Sequence, residues 1–219
     1  MNETRLNPLN DFLFMRYMGQ EGDEEQLLAF LNVVLHDTDN NELASVKILE
    51  TKLSTDIPDS KITGMMGIRA KRNDGSKVYI EVQLCTTGNM DKRSLYYWCL
   101  AYEKSMQYDN NRINPSCVIT ININDEEELS TKKVHTCFHF REDNNTNFIL
   151  TDIMEMHFID MVKFRSLKEK DIEHNRLHRW LTFFDKNADC ETIQKVIEMD
   201  ASIGKANKKF MSIVQDSET

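Results

Sequence analysis

The stretch MMGIRAKRNDGSKVYIEVQL, residues 65–84, decides how the fold of this chain is predicted. It contains two runs of alternating apolar and polar residues, which the turn sequence Asn73–Asp74–Gly75 separates. This turn favours a β-hairpin with a three-residue loop, in which Gly75 adopts the left-handed conformation. The resulting register pairs apolar residues along one face of the hairpin. These pairs are Ala70 with Val78, Ile68 with Ile80, and Met66 with Val82.

The opposite face of the hairpin carries the residues that suggest chemistry. The same register places Gly67 opposite Glu81 and Met65 opposite Gln83, with the two Cβ positions of a pair about 5 Å apart. Two carboxylates at that distance could share a divalent cation, but Gly67 leaves only one carboxylate. A polar strand face that only meets solvent is the alternative, and a strand glycine can also mark a bulge or a close backbone approach.

The composition is typical of a soluble globular protein. The 219 residues are 40% hydrophobic and 29% charged, which indicates one domain, with or without an appendage. No apolar run is long enough to span a bilayer, and the N-terminus lacks the features of a signal peptide. A cytoplasmic location and no membrane partner are therefore expected. The five cysteines are widely spaced without a CxxC motif, which predicts reduced core thiols.

The net charge of −9 argues against a general nucleic-acid coat protein, which is usually basic. It does not exclude a nuclease. Nucleases gather carboxylates around metal ions and need only a local basic strip for the phosphates.

The remaining patterns predict an α/β or α+β fold with a mixed sheet. Residues 11–35 contain two helical patterns, the first with Phe12, Met15 and Met18 on one side and the second starting near Asp23. The other predicted elements are strands at 43–49, 117–124, 134–142 and 148–152, a loop at 54–61, a strand or helix at 156–164, and helices at 90–107 and from Asp171 onward. The final stretch, KKFMSIVQDSET, shows no clear element.

In its order of segments the chain resembles the PD-(D/E)XK nuclease superfamily, specifically the recombination-promoting nucleases often labelled putative transposases. The resemblance covers nearly the whole chain and is carried by NDFLFMRYMG, IRAKRNDGSKVYIEVQL, KRSLYYWCLAYEKSMQY and ILTDIMEMHFIDMVKF. It implies an α/β fold with a restriction-endonuclease-like core, a mixed sheet flanked by helices, and C-terminal helices. The core is expected over residues 1–170, with a helical extension over 171–219 that is shortened relative to longer relatives.

The resemblance also implies a magnesium site on the hairpin. The metal-binding Asp of the family falls at Gly67, and Glu81, the Val82 carbonyl and an acid at position 67 would ligate Mg²⁺. Gln83 would orient water or phosphate, because a neutral amide cannot act as a general base. Asp11 matches an acidic residue near the N-terminus of the family and would supply a further acid to the metal.

The implied function is hydrolysis of DNA phosphodiester bonds, weakened in this chain because Gly67 removes a metal ligand. Arg93 and Tyr97 match the R-x-x-Y-Y helix after the hairpin and, with Lys71, are the expected DNA contacts. DNA is the expected partner, and a homodimer is a second expectation. The alternative is a catalytically inactive module that binds DNA or another protein. A transposase with strand transfer has little support, since no separate DNA-recognition domain is evident.

Two histidine pairs and one aromatic cluster have simpler interpretations. His135 and His139 share one face of a predicted strand, and His174 and His178 have the i, i+4 spacing of zinc ligands on a helix. Neither pair has an evident third ligand, so solvent-facing histidines are expected. The aromatic residues of the 90–107 helix are predicted to pack in the core rather than stack on bases. They are Tyr96, Tyr97, Trp98 and Tyr102.

Overall fold

The computed structural model describes residues 5–36, 42–53, 62–85, 90–109, 116–126 and 129–217, which form six strands and seven helices. The predicted loop at 54–61 lies outside these residues. The elements in chain order are α1 Asp11–Met18, α2 Glu24–Leu35, β1 Leu43–Leu53, β2 Ile62–Arg72, β3 Lys77–Cys85, α3 Met90–Asp109, β4 Cys117–Asn124, β5 His135–Phe138, β6 Met154–Asp160, α4 Met161–Ser166, α5 Arg176–Phe184, α6 Cys190–Met199 and α7 Ala201–Ser217.

All six strands belong to one mixed sheet, as predicted. Their order is β1-β2-β3-β4-β6-β5, with antiparallel pairing from β1 to β3 and between β5 and β6. Strands β3, β4 and β6 run parallel, and helix α3 connects β3 to β4. The fold is therefore the predicted α/β arrangement.

The hairpin of β2 and β3 has the predicted register at every pair named above. Gly75 has a φ of 88°, and its N–H donates to the carbonyl of Arg72 over 3.0 Å. The Arg72 N–H donates to the Ser76 carbonyl over 2.9 Å and closes the loop. The turn sequence and the alternation of apolar residues thus fix which side chains share a face.

The larger hydrophobic core lies on the sheet face that carries the apolar hairpin pairs. Helices α1 and α2 pack on this face, and α5 and α7 pack against these two helices. Together they bury a group of aromatic rings, in which Tyr17 packs edge-on against Phe183 and Phe210. The Asn10 side chain accepts a hydrogen bond from the Leu13 N–H and caps α1. The C-terminal helices share this core with the first two, while the domain boundary near residue 170 stays a prediction.

A second, smaller core lies between the other sheet face and α3. Tyr97 and Trp98 are buried in it, and the Trp98 indole donates to the Val118 carbonyl over 3.0 Å. Trp98 also stacks on Tyr102, whereas Tyr96 is 60% exposed. The packing interpretation of the aromatic cluster is therefore confirmed for Tyr97 and Trp98.

Several sequence predictions differ from the structure. Strand β1 continues to Leu53, and the final stretch forms most of helix α7. The segment 156–164 contains the end of β6 and the start of α4, where the Asp160 side chain caps the Lys163 N–H. Of the predicted strand at 148–152, only an Arg141–Ile149 bridge is present.

Some side chains also lie elsewhere than expected. Met15 and Met18 are buried, but Phe12 on the same helix is about half exposed. The prediction of core thiols is wrong for Cys99 and Cys190, which are exposed. No helix within the described ranges is long and apolar enough to cross a membrane.

Candidate active site

Four strands bring one polar row together on the sheet face beneath α3. Glu50 on β1 is in register with Gly67 on β2, Gly67 with Glu81 on β3, and Glu81 with Thr120 on β4. Gln83 lies two residues beyond Glu81 on the same face, opposite Asn122. The predicted pairing of Gly67 with Glu81 is thus the centre of a longer row.

Glu81 is the most enclosed acid of this row, with 1% of its surface exposed. The Gln83 amide donates to its Oε1 over 2.9 Å, and the Tyr79 hydroxyl donates to its Oε2 over 3.4 Å. Lys104 of α3 places its Nζ 3.7 Å from the same Oε2. Burial raises the pKa of the Glu81 carboxyl, and the opposing effects of Lys104 and Gln83 do not cancel that increase.

Glu50 lies on the other side of the Lys104 ammonium. The Lys104 Nζ donates to Glu50 Oε1 over 2.7 Å, and Lys52 Nζ lies 3.4 Å from Oε2. Burial acts to raise the pKa of Glu50, but the hydrogen bond and charge of Lys104 outweigh it and lower that pKa. One ammonium therefore contacts the carboxylates of both Glu50 and Glu81, so the two acids converge on a single cation position.

Gly67 has no room for a side chain in this packing. A Cβ at position 67 would lie 2.7 Å from the Tyr79 hydroxyl and 3.2 Å from Glu50 Cγ. The Tyr79 hydroxyl and the stem of Glu50 therefore fill the space that an Asp would occupy. Glu50 on the neighbouring strand therefore brings its carboxylate close to Glu81 across position 67.

Buried oxygen atoms continue the polar row. On β3 and β4, four buried side-chain oxygens have no hydrogen-bond partner among the described residues. They are Gln83 Oε1, Thr120 Oγ1, Asn122 Oδ1 and Asn124 Oδ1. Buried polar atoms are normally paired, so these oxygens indicate a place for water or a ligand. Two carboxylates and an amide oxygen form a donor set that fits a hard divalent cation such as Mg²⁺.

The structure also places the other predicted metal ligands. The Val82 side chain is buried on the opposite, apolar face of β3, as the register requires, and its carbonyl remains a predicted ligand. Asp11 begins α1 beside Gly64, on the apolar side of β2, and its Oδ1 accepts the Phe12 N–H. The structure brings Asp11 to the sheet face opposite Glu81, and its role as a metal ligand stays a prediction.

Two of the three predicted DNA contacts, Lys71 and Tyr97, lie on the α3 side of the sheet. Lys71 is exposed and lies four residues from Gly67 along β2, about 13 Å away. Tyr97 is buried between α3 and the sheet. Arg93 lies on the first turns of α3, and its side chain is outside the described atoms. These three roles stay predictions.

Sequence reasoning missed two members of the row, Glu50 and Lys104. The predicted strand stopped at residue 49, one residue before Glu50, and the pairing of β1 with β2 is not encoded by a short turn. Lys104 follows Tyr97 and Ala101 by seven and three positions, which places it on the sheet-facing side of α3. A lysine within that buried stripe was a signal that could have identified it.

The fold and site together define a class of protein. A mixed sheet in which an acidic hairpin leads through a helix into a parallel central strand is a restriction-endonuclease-like α/β fold. The chain belongs to the PD-(D/E)XK nuclease family transposases, because the profile of that family matches residues 8–219. The resemblance inferred from the sequence is confirmed. No curated protein and no solved structure matches the chain significantly.

Proposed function

We propose that this chain is a weak, divalent-metal-dependent DNA nuclease in which Glu50 supplies the acid that Gly67 lacks. The observation that carries the proposal is the position of Lys104 Nζ, 2.7 Å from Glu50 Oε1 and 3.7 Å from Glu81 Oε2. Two carboxylates that share one ammonium can also share a divalent cation, since both ions are attracted to the same concentration of negative charge.

In this proposal Glu50, Glu81 and the Val82 carbonyl would hold Mg²⁺, which would polarise the phosphate and lower the pKa of a bound water. Gln83 fixes Glu81 through its amide and presents its unpaired Oε1 to water or phosphate. Lys104, once displaced from between the acids, is close enough to counter negative charge on the phosphate. Lys71, on the same face of β2 as Gly67, adds positive charge, and Arg93 of α3 is a further candidate phosphate contact.

Two features support a weak site rather than an efficient one. The Lys104 ammonium occupies the shared position and repels a second cation. Burial raises the pKa of Glu81, so ionising this acid costs more than it would in water. A divalent ion therefore has to displace the Lys104 ammonium and stabilise the ionised form of Glu81.

Plasmid nicking with Mg²⁺ or Mn²⁺ tests the proposal. Wild type should nick slowly, and both Glu50→Gln and Glu81→Gln should abolish nicking. Glu103→Gln is the matched control, because Glu103 is exposed on α3 next to Lys104 in sequence. If wild type does not nick, the nuclease proposal is wrong. If Glu50→Gln nicks as wild type does, Glu50 does not replace the missing acid.

The second candidate is a module that binds without cutting, and the Lys104 bridge also favours it, because both acids already have a cationic partner. Gel mobility shifts with and without Mg²⁺ separate the two candidates when compared with nicking. DNA binding without cleavage favours the module. No DNA binding, together with an oligomer in solution, favours an assembly role.

A further inference from the structure

A second cluster of chemically active side chains lies at the far edge of the sheet. Cys137 on edge strand β5 is directly opposite His157 on β6. Glu155 lies two residues before His157, and His139 lies two residues after Cys137, so all four point to the same face. Met156, between Glu155 and His157, is in register with Thr120 and Glu81. The cluster is therefore on the opposite sheet face from the candidate active site.

The separations within this cluster match those between ligands of one metal ion. The Cys137 Sγ lies 3.7 Å from His139 Nδ1, 3.8 Å from Glu155 Oε1 and 3.8 Å from His157 Nε2. Ligand atoms of Cys137, His139 and Glu155 all lie within 4.8 Å of one another. In a tetrahedral zinc site, ligands about 2.0–2.3 Å from the ion are roughly 3.3–3.8 Å apart.

His157 contacts the Glu155 carboxylate, and His135 in turn contacts His157. His157 Nε2 lies 2.6 Å from Glu155 Oε1, and His157 Nδ1 lies 2.8 Å from His135 Nε2. Neutral rings satisfy both contacts when His135 donates to His157 and His157 donates to Glu155. His157 is fully buried, so this chain of hydrogen bonds fixes the orientation of Glu155. Partners of this kind orient the ligands in protein metal sites.

The structure corrects the interpretation of the HTCFH sequence. His135 and His139 were expected to face solvent because no third ligand was evident, but both are partly buried, and Glu155 of the neighbouring strand completes the set. His174, in the other histidine pair, is 86% exposed in its side chain, as expected. His178 is partly buried and accepts the Asp171 N–H at its Nδ1.

We propose that Cys137, His139 and Glu155 form a binding site for a transition-metal ion of the zinc class, oriented by His157 and His135. A thiolate and an imidazole select a borderline-soft ion over Mg²⁺ or Ca²⁺, which prefer oxygen ligands alone. His139 and Cys137 are partly exposed at the sheet edge, so the ion has a path to the site. The ion joins edge strand β5, only four residues long, to the buried β6.

Cobalt titration of the full chain tests this site. Protein prepared without a histidine tag is stripped of metal with EDTA and titrated with Co²⁺. A thiolate-to-Co²⁺ charge-transfer band in the absorption spectrum then reports a cysteine ligand. We expect this band to saturate at one equivalent of Co²⁺ and to disappear when Zn²⁺ displaces the Co²⁺. Cys137→Ser should lose the band, whereas Cys99→Ser and His174→Gln, which alter exposed residues elsewhere, should keep it.

Two more variants keep the test independent of folding and of the nuclease proposal. His135→Gln should weaken Co²⁺ binding about 10–100-fold while retaining the band, because it removes only the partner of His157. Glu81→Gln should leave the thiolate charge-transfer band and its Co²⁺ affinity unchanged, since Glu81 lies on the other sheet face. The absence of Co²⁺ binding by wild type, or an unchanged band in a folded Cys137→Ser protein, would overturn the proposal.

Discussion

Placing an acid on β2 by Gly67→Asp should destabilise the protein. The first added atom, the Cβ, would lie 2.7 Å from the Tyr79 hydroxyl, whereas ordinary contacts begin at 3.4 Å. The contact must therefore lengthen by about 0.7 Å, the difference between these distances. Tyr79 is 3% exposed, so its ring can move only by disturbing the core beneath α3.

Gly67→Ala isolates the steric part of this cost. Overpacking of a filled site costs about 1–3 kcal/mol, and replacing a glycine recovers about 0.4–1 kcal/mol through the unfolded state. A net loss of about 1–2 kcal/mol is expected, which lowers the melting temperature by about 2–4 °C for each kcal/mol in a chain of this size. Gly67→Asp adds repulsion from Glu50 and Glu81 and should lose more.

A double-mutant cycle with Tyr79→Phe measures whether the hydroxyl is the cause. Without the hydroxyl, the nearest ring atom to the Cβ is Cζ at 3.5 Å, an ordinary contact. Urea unfolding followed by tryptophan fluorescence should show that Gly67→Ala costs about 1 kcal/mol less in the Tyr79→Phe background. Equal costs in both backgrounds would refute this account of Gly67.

The double variant Gly67→Asp, Tyr79→Phe is then the correct protein for the nicking assay. It relieves the contact of the new Cβ with the Tyr79 hydroxyl, while the 3.2 Å contact with Glu50 Cγ remains. Nicking faster than wild type would show that the missing acid limits activity. Nicking at the wild-type rate would show that Gly67 is not the defect.

Two other predictions concern stability. Burial raises the pKa of Glu81 in the folded protein above its ordinary value of 4.5, so the folded state binds this proton more tightly than the unfolded state does. The free energy of unfolding of the wild type should therefore fall as the pH rises through the folded-state pKa. Urea titrations at several pH values should show no such fall for Glu81→Gln, and parallel pH profiles would contradict the effect. Phe210→Ala should cost about 3–5 kcal/mol, since Phe210 is almost fully buried against Tyr17 and Phe183. The exposed Met211→Ala is its control, and similar melting temperatures for the two variants would refute a core role for α7.

The hairpin could be predicted residue by residue because its determinants are local. Gly75, the loop length and the alternation of apolar side chains all lie within about twenty residues, and together they fix the pairing of Gly67 with Glu81. Family resemblance then gave that pair a chemical meaning. The positions of Lys104 and Glu50 beside Glu81 depend instead on how α3 and β1, which are distant in sequence, pack against the hairpin.

The strand β1 shows why long-range pairing was harder to predict. Its register against β2 shifts between Leu43 and Ser45 and again between Ile48 and Glu50. Each irregularity changes which side chains face α3, and no turn sequence predicts it. The second cluster escaped prediction for a related reason. Strand β6 is buried along its whole length, so Glu155 and His157 lack the alternation that would mark their face.

The contacts of α7 have a consequence for how the chain folds during synthesis. The Lys209 Nζ lies 2.5 Å from the Asp23 carboxylate, 186 residues earlier in the chain, and Phe210 packs on Tyr17. Contacts of such long sequence separation form late, because a long loop must close first. Helices α1 and α2 leave the ribosome before α5 and α7, and their aromatic face stays uncovered until those helices have been made. These two helices are thus exposed to aggregation or to chaperones while translation continues.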